Sequence, residues 1–543
     1  MIVRLLRSLS WVSGYLSRTP VRSTVSSTRP PVSLRKLHHT EPITFSRHLS
    51  NMASPDNPFE EGADTRRFLD DLYKVIVDEA LAKGCNVNTK VVDFQFPEKL
   101  STLIDTEIKK EPESHDKLLD LARQIIQYSV KTGNPRFFNQ QYGGLNPYSL
   151  AGSWLSDSLN TNLHTFEVAP AFVILEKSIF RKLCGLVGFS RGDGVFCPGG
   201  SFAVFMAIHL ARYKRFPELK KTGMMASPKF VLFASQEVHY SVTKGAGFLG
   251  FGTDNVISVK SDDRGKMIPA DFENKVLQAK ERGEVPLFVM ATGGSTVLGC
   301  FDPLPAVADI CQEHDIWMHT DACWGGTTLL SAKHKHLLDG IHRSDSVSWN
   351  FHKMGGALLQ CSAFLVKEMD LLRESNALSA TYLFQKDKFY DTSYDIGDNT
   401  VQCGRKVDVV KLWFMWKALG DRGMESRVDK LFETSQYFTE RLKKTEGFRL
   451  VIPKFECTNV CFWYIPPSMR GQPETPEWWE KLSKVAPVIK ERMVMDGSMM
   501  IGYNPLLHKD FVNFFRIVFV NERQTKELAD FVLEEISRLG KDL

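Results

Sequence analysis

Several things are scarce in this 543-residue chain, and each absence excludes a class of function. No run of 18 or more apolar residues is present, so nothing in the sequence is long enough to span a bilayer as a helix. No CxxC pair occurs among the 10 cysteines, which are scattered, so neither a zinc site nor a disulfide framework is indicated and a reducing compartment fits. No basic stripe exists either. The net charge of +4 comes from residues 1–52, where seven Arg and one Lys face the single acid Glu41, and the remaining 60 basic and 63 acidic residues leave a weakly acidic body. Nucleic acid therefore has no electrostatic footprint here. Internal repeats are missing, and low complexity is confined to the N-terminal extension.

Acids are nearly absent from the first fifty residues, which are rich in Arg and Ser. Ile2, Leu5, Leu6, Leu9 and Val12 share one face of a helix. This is the composition of a mitochondrial presequence, with a disordered extension before a second start at Met52 as the equally weighted alternative. The first places the protein in the mitochondrial matrix, the second in the cytoplasm.

What is present is the texture of an α/β protein. Hydrophobic and charged contents of 43% and 24% are those of a globular protein. From about 65 to 132 the pattern is helical, with Phe68, Leu72, Val75 and Ile76 on one face. Beyond it short apolar runs at 229–235 (KFVLFAS), 285–292 (VPLFVMAT), 316–321 (IWMHTD) and 346–350 (SVSWN) alternate with helical ones, which predicts a mostly parallel central sheet. After about 407 the order is helix, strands at 448–452, 460–465 and 514–520, and a closing helix carrying Leu528, Phe531, Val532, Ile536 and Leu539. The expected division is an extension at 1–52, an N-terminal helical segment at 53–139, a large domain at 140–412 and a small α+β domain at 413–543.

Polar residues follow several of these runs, where open α/β sheets bind ligands. In 346–356 (SVSWNFHKMGG) a strand runs into a loop carrying His352 and Lys353 before two glycines. A desolvated amine there is a nucleophile toward a carbonyl, although an isolated loop lysine is usually only a surface residue. Asp321 closes the strand before Ala322 and Cys323, the place for an anion that keeps a pyridine nitrogen protonated; alone it reads as a helix cap. Residues 197–201 (CPGGS) open a helical run at 202–213, so Gly200 and Ser201 offer backbone N–H groups and a helix dipole to a phosphate. His239, in 235–241 (SQEVHYS), supplies an imidazole for stacking on a cofactor ring, where the plainer reading is a structural histidine.

Together these segments resemble a group II pyridoxal-5'-phosphate (PLP) decarboxylase of fold type I, in the acidic branch containing glutamate, cysteine sulfinic acid and aspartate 1-decarboxylases. The resemblance covers nearly everything after about residue 65 and includes 137–140 (FFNQ), 382–391 (YLFQKDKFYD), 459–464 (NVCFWY) and 513–516 (NFFR). It implies that Lys353 is the Schiff-base lysine, Asp321 pairs with the pyridine nitrogen and His239 stacks on the ring. Gly200 and Ser201 would hold the phosphate, with His352, Cys323 and Thr292 around the cofactor. Arg516 and Gln140 would hold the substrate's distal acid, since a planar guanidinium takes a carboxylate or sulfinate bidentately. Tyr382, in a loop that closes over the site, would return a proton to the substrate Cα.

The resemblance further implies a homodimer with its active site at the interface, no metal, and either cysteine sulfinate to hypotaurine or aspartate to β-alanine as the reaction. Tyr142 stands where glutamate decarboxylases carry a small serine, which disfavours the longer acid. Glutamate decarboxylation, a transaminase, an aromatic decarboxylase and a weakly active binding paralogue are the rival readings. Departures from the family pattern surround the cofactor: Phe351 replaces a proline, Cys323 an alanine, Ala203-Val204 a Ser-Asn pair, and 292–296 reads TGGST for TSGTT.

Overall fold

The computed structural model describes residues 63–543 except 226 and 379. The presequence expected at 1–52 lies outside the described residues. The chain separates into Met1–Thr65 and Arg66–Leu543, and everything below except the first three residues of the first helix belongs to the second unit.

The helical pattern expected at 65–132 takes the form of three helical pieces. Ala63–Val75 continues as Ile76–Lys83, followed by Pro97–Leu103 and His115–Tyr128. Proline at the start of the second piece and the Ser114 side chain, which accepts from Lys117 N, start the later helices afresh.

Seven strands form the central sheet in the order β2, β8, β7, β6, β5, β3, β4. They are β2 (Asp193–Cys197), β3 (Phe230–Ser235), β4 (Val256–Val259), β5 (Val285–Thr292), β6 (Trp317–Asp321), β7 (Ser346–Asn350) and β8 (Ser362–Val366). Neighbours from β4 through β7 pair in parallel, and β8 runs antiparallel to both β7 and β2. Strands β3, β7 and β8 are buried from end to end, as sheets covered on both faces require.

A second sheet has the order β1, β11, β12, β10, β9. Its members are β1 (Phe137–Phe138), β9 (Phe448–Leu450), β10 (Asn459–Tyr464), β11 (Met500–Leu506) and β12 (Phe511–Val518). Here β1, from the N-terminal part of the chain, pairs in parallel with β11 and delivers Asn139 through Tyr142 beside the C-terminal sheet.

One long helical element, Val409–Lys444, is kinked at Gly420, where φ is +64°. It crosses the helix Pro147–Leu159 so closely that a Cβ on Gly152 would lie 2.7 Å from the Val410 carbonyl oxygen. Asn146 caps that shorter helix by accepting from Tyr148 N and Ser149 N. Ser149 Oγ then accepts from Leu358 N at 2.9 Å and so ties the helix to the loop that follows Lys353.

Arg405 Nη1 meets both oxygens of Glu176 at 2.7 and 2.8 Å, with both residues buried. Removing one member of such a pair strands a charge in low dielectric. Glu176→Ala is therefore expected to cost about 3–5 kcal/mol, whereas Glu176→Leu with Arg405→Met recovers most of it. Urea midpoints of the three proteins check this, and equal midpoints for the single and double variants would contradict it.

Candidate active site

β5 and β6 end in register, with Thr292 facing Asp321, and Asp321 faces Ser348 two residues before β7 ends. Asp321 is fully inside the protein. Burial alone would push its carboxyl up, but the charge of Lys353, the Cys323 hydrogen bond and the fields of His319 and His239 together hold it below its ordinary value. Its two donors, Cys323 N at 3.0 Å and Ser348 Oγ at 2.9 Å, both meet Oδ1. Cys323 Sγ in turn donates to Ser348 Oγ at 3.3 Å, and burial raises its thiol pKa well above the usual range, so it is a neutral donor.

Lys353 follows the fully buried Trp349 and Phe351, whose rings stack at 4.5 Å and anchor the loop in the core. Phe351, in place of the family proline, is thus a packing residue. The half-buried Lys353 Nζ donates to Gln141 Oε1 at 3.0 Å. His352 turns away from it: Cys361 N donates to His352 Nδ1 at 3.0 Å, and burial brings the ring down to about 4, so it is neutral. His239 Nδ1 is engaged by Ser241 Oγ at 2.9 Å. Burial lowers its pKa, Lys353 and Lys244 acting in the same direction and Asp321 opposing.

Opposite the strand ends, the 16-residue helix Gly200–Arg215 begins with no side-chain cap. Gly199 has φ +95°, and a Cβ on Gly200 would lie 2.4 Å from Cys323 Sγ and 3.0 Å from Asn350 Nδ2. Ser201 is its second residue. Nearby polar atoms lack partners: Thr292 Oγ1 and Asn350 Oδ1 are buried with no hydrogen bond. The donor set suits PLP, with an uncapped helix N-terminus for a phosphate, an ionised buried acid for a pyridine nitrogen, a lysine for an aldehyde, and orphaned hydrogen-bonding groups between them.

Arg516 lies on β12, opposite Gly502 and Cys461. Its Nη1 and Nη2 donate at 3.2 Å to the carbonyls of Thr296 and Asn139, and its Nε is buried with no partner. Burial lowers its pKa, and no carboxylate meets it among the described residues. The Thr296 carbonyl also takes Gln141 Nε2 at 3.5 Å, so the lysine and the guanidinium are joined through one amide and one peptide oxygen.

Gln140 and Tyr382 are not brought to these groups. Gln140 is exposed, and the glutamine at the lysine is its neighbour Gln141. Tyr142 is half-buried with its ring 6.1 Å from that of Phe137. Tyr382 is 77% exposed, and its described hydrogen bond is through its carbonyl, which accepts from Gln385 Nε2. Ser348 was missed, although the alternation in SVSWN signals it: Ser346, Ser348 and Asn350 share one strand face, and a buried strand with a polar face needs partners for it.

Residues 97–465 match the family described as "Pyridoxal-dependent decarboxylase conserved domain". The chain is 54% identical to human cysteine sulfinic acid decarboxylase over 474 residues, covering 87% of this chain and 95% of that protein. It is 48% identical to human acidic amino acid decarboxylase GADL1 over 489 residues, covering 90% and 93%. The crystal structure of mouse CSAD superposes with a TM-score of 0.87 at 50% identity, covering 89% of this chain and all of that one.

Gly200→Ala forces its methyl against Cys323 Sγ and shifts the helix start. We expect PLP to bind about tenfold more weakly to the folded variant, with part of the loss restored by adding Cys323→Ala. Titration of the PLP absorbance band measures it. Wild-type affinity in Gly200→Ala would show that the helix start is not the phosphate site.

Proposed function

The chain belongs to the pyridoxal-dependent decarboxylase family, and from that premise we propose that it removes the α-carboxylate of a small acidic amino acid, cysteine sulfinate or aspartate. The observation that carries the substrate class is Arg516. Its guanidinium is half-buried and met by peptide carbonyls alone, an arrangement that gains most from an anionic ligand. An apolar substrate side chain would leave the charge unpaired, at a cost. In the relatives named above, cysteine sulfinic acid and acidic amino acids are what the proteins' names say they decarboxylate.

Bound PLP supplies a protonated ring that takes up the electron pair released when the bond from Cα to the carboxylate breaks. Lys353 would hold the cofactor covalently, and Asp321, whose Oδ1 is taken by Cys323 and Ser348, would keep the proton on its ring nitrogen. Gly200 and Ser201 would receive the phosphate, His239 and Thr292 would line the cofactor, and Cys323 together with Ser348 fixes the Asp321 carboxylate. Arg516 grips the distal acid and so turns the α-carboxylate out of the ring plane. Tyr142 narrows the pocket for the shorter acids.

Tyr382 returns the proton to Cα from the segment 377–391. Leu378, Tyr382 and Phe389 are all exposed there, which suits a surface completed by a second copy in a homodimer. Cysteine sulfinate decarboxylation places the protein in taurine biosynthesis.

Release of CO2 from cysteine sulfinate, aspartate and glutamate tests the proposal. kcat/KM is expected to be larger for one or both shorter acids, and Arg516→Met to raise KM for them by tenfold or more. A larger value for glutamate than for both would overturn the substrate assignment. Tyr382→Phe removes the hydroxyl with little change in volume, so we expect slower turnover with progressive inactivation that added PLP reverses. Linear progress curves with wild-type rates would leave Tyr382 a surface residue.

A further inference from the structure

Gln141 occupies a singular place among the described polar residues, because it touches the lysine and shares an acceptor with the arginine. Lys353 Nζ donates to its Oε1 at 3.0 Å, and its Nε2 donates to the Thr296 carbonyl at 3.5 Å. That carbonyl also accepts from Arg516 Nη1 at 3.2 Å and from Asn459 Nδ2 at 3.0 Å. Asn459 reaches the carbonyl of Val297 as well, at 3.3 Å, which pins this stretch of backbone. Gln141 itself is buried.

An amide has its donor and acceptor at opposite corners of a rigid plane. With Nε2 anchored on Thr296, Oε1 is turned toward the lysine. A lysine has four rotatable carbons and loses much freedom on being fixed, so an unheld amine would sample many positions. The amine must nonetheless return to the same reacting carbon at the end of each turnover, and misplacement by an ångström is costly.

We infer that Gln141 is a positioning residue: it holds the Lys353 amine whenever that amine is not covalently engaged, and sets it in fixed relation to Arg516. This rests on the assignment of Lys353 given above. The role is not available to Gln140, which is exposed. Nor does His352 serve, since its Nδ1 is taken by the Cys361 backbone.

The test is site-resolved acylation of the full-length chain freed of PLP, using limiting acetic anhydride and mass spectrometry of the Lys353 peptide, with the exposed Lys386 as internal reference. Gln141→Leu releases the amine, and Lys353 should be labelled at least threefold faster than in wild type. Gln141→Glu pairs the ammonium with a carboxylate, and labelling should be at least threefold slower. In the PLP-loaded protein, Gln141→Leu should lower kcat several-fold with KM changed less than twofold. Equal Lys353 labelling in wild type and both variants would overturn the inference. Should Gln141→Leu fail to fold, the isosteric Gln141→Glu still decides, because general loosening speeds labelling and the inference requires slowing. The labelling reads the contact between Gln141 and Lys353 directly, so its outcome stands apart from whether Lys353 is the residue that binds PLP.

Discussion

A carboxylate kept ionised inside the protein is the constraint around which the site is arranged. Desolvation would make Asp321 a neutral acid, useless for holding a proton on a neighbouring nitrogen. The positive charge of Lys353, with hydrogen bonding from Cys323, reverses that. Both groups exist where they do because parallel strands end together: β6 supplies the acid, and β7 runs on through a buried aromatic pair into the lysine. Histidines in the same region are driven the other way. His319 is brought by burial to about 4, so the cationic form is kept off the sheet interior.

In the proposed function the second sheet contributes the selectivity. An edge strand of two residues, β1, joins it from more than three hundred residues earlier in the chain and carries Asn139 and Gln141 to Arg516. The outcome is a guanidinium supported by carbonyls, whose unmet need is an anion. In contrast with the surface ion pairs elsewhere on the protein, this charge lies where water is largely displaced, so a ligand that satisfies it gains more and a ligand that does not pays more. The proposed acid-selective pocket thus rests on what Arg516 lacks.

Much of this was legible in the sequence. The apolar runs at 285–292 and 346–350 coincide with β5 and β7, and the run at 229–235 starts one residue before β3, because continuous burial leaves an unambiguous apolar signature. Lys353, Asp321 and the Gly200 turn stand out because each sits at an element end where a motif punctuates the pattern, whereas Arg516, inside β12, is marked only by the resemblance of 513–516. Other features were not legible for physical reasons. Two residues of strand have no period to read, so β1 and its parallel pairing with β11 were invisible. With them went the choice between Gln140 and Gln141, which alternation past a strand end decides. The N-terminal segment is helical as expected, and its division into separate helices is set by caps and prolines that hydrophobic spacing alone does not show.

The central claim, that Lys353 faces Asp321 across the PLP site, is tested most directly by reducing the PLP-loaded protein with borohydride and locating the pyridoxyl group by peptide mass spectrometry. The account predicts one stoichiometric adduct, on Lys353. An adduct on another lysine, such as the half-buried Lys490, or a protein that carries PLP without any adduct on Lys353, would contradict it.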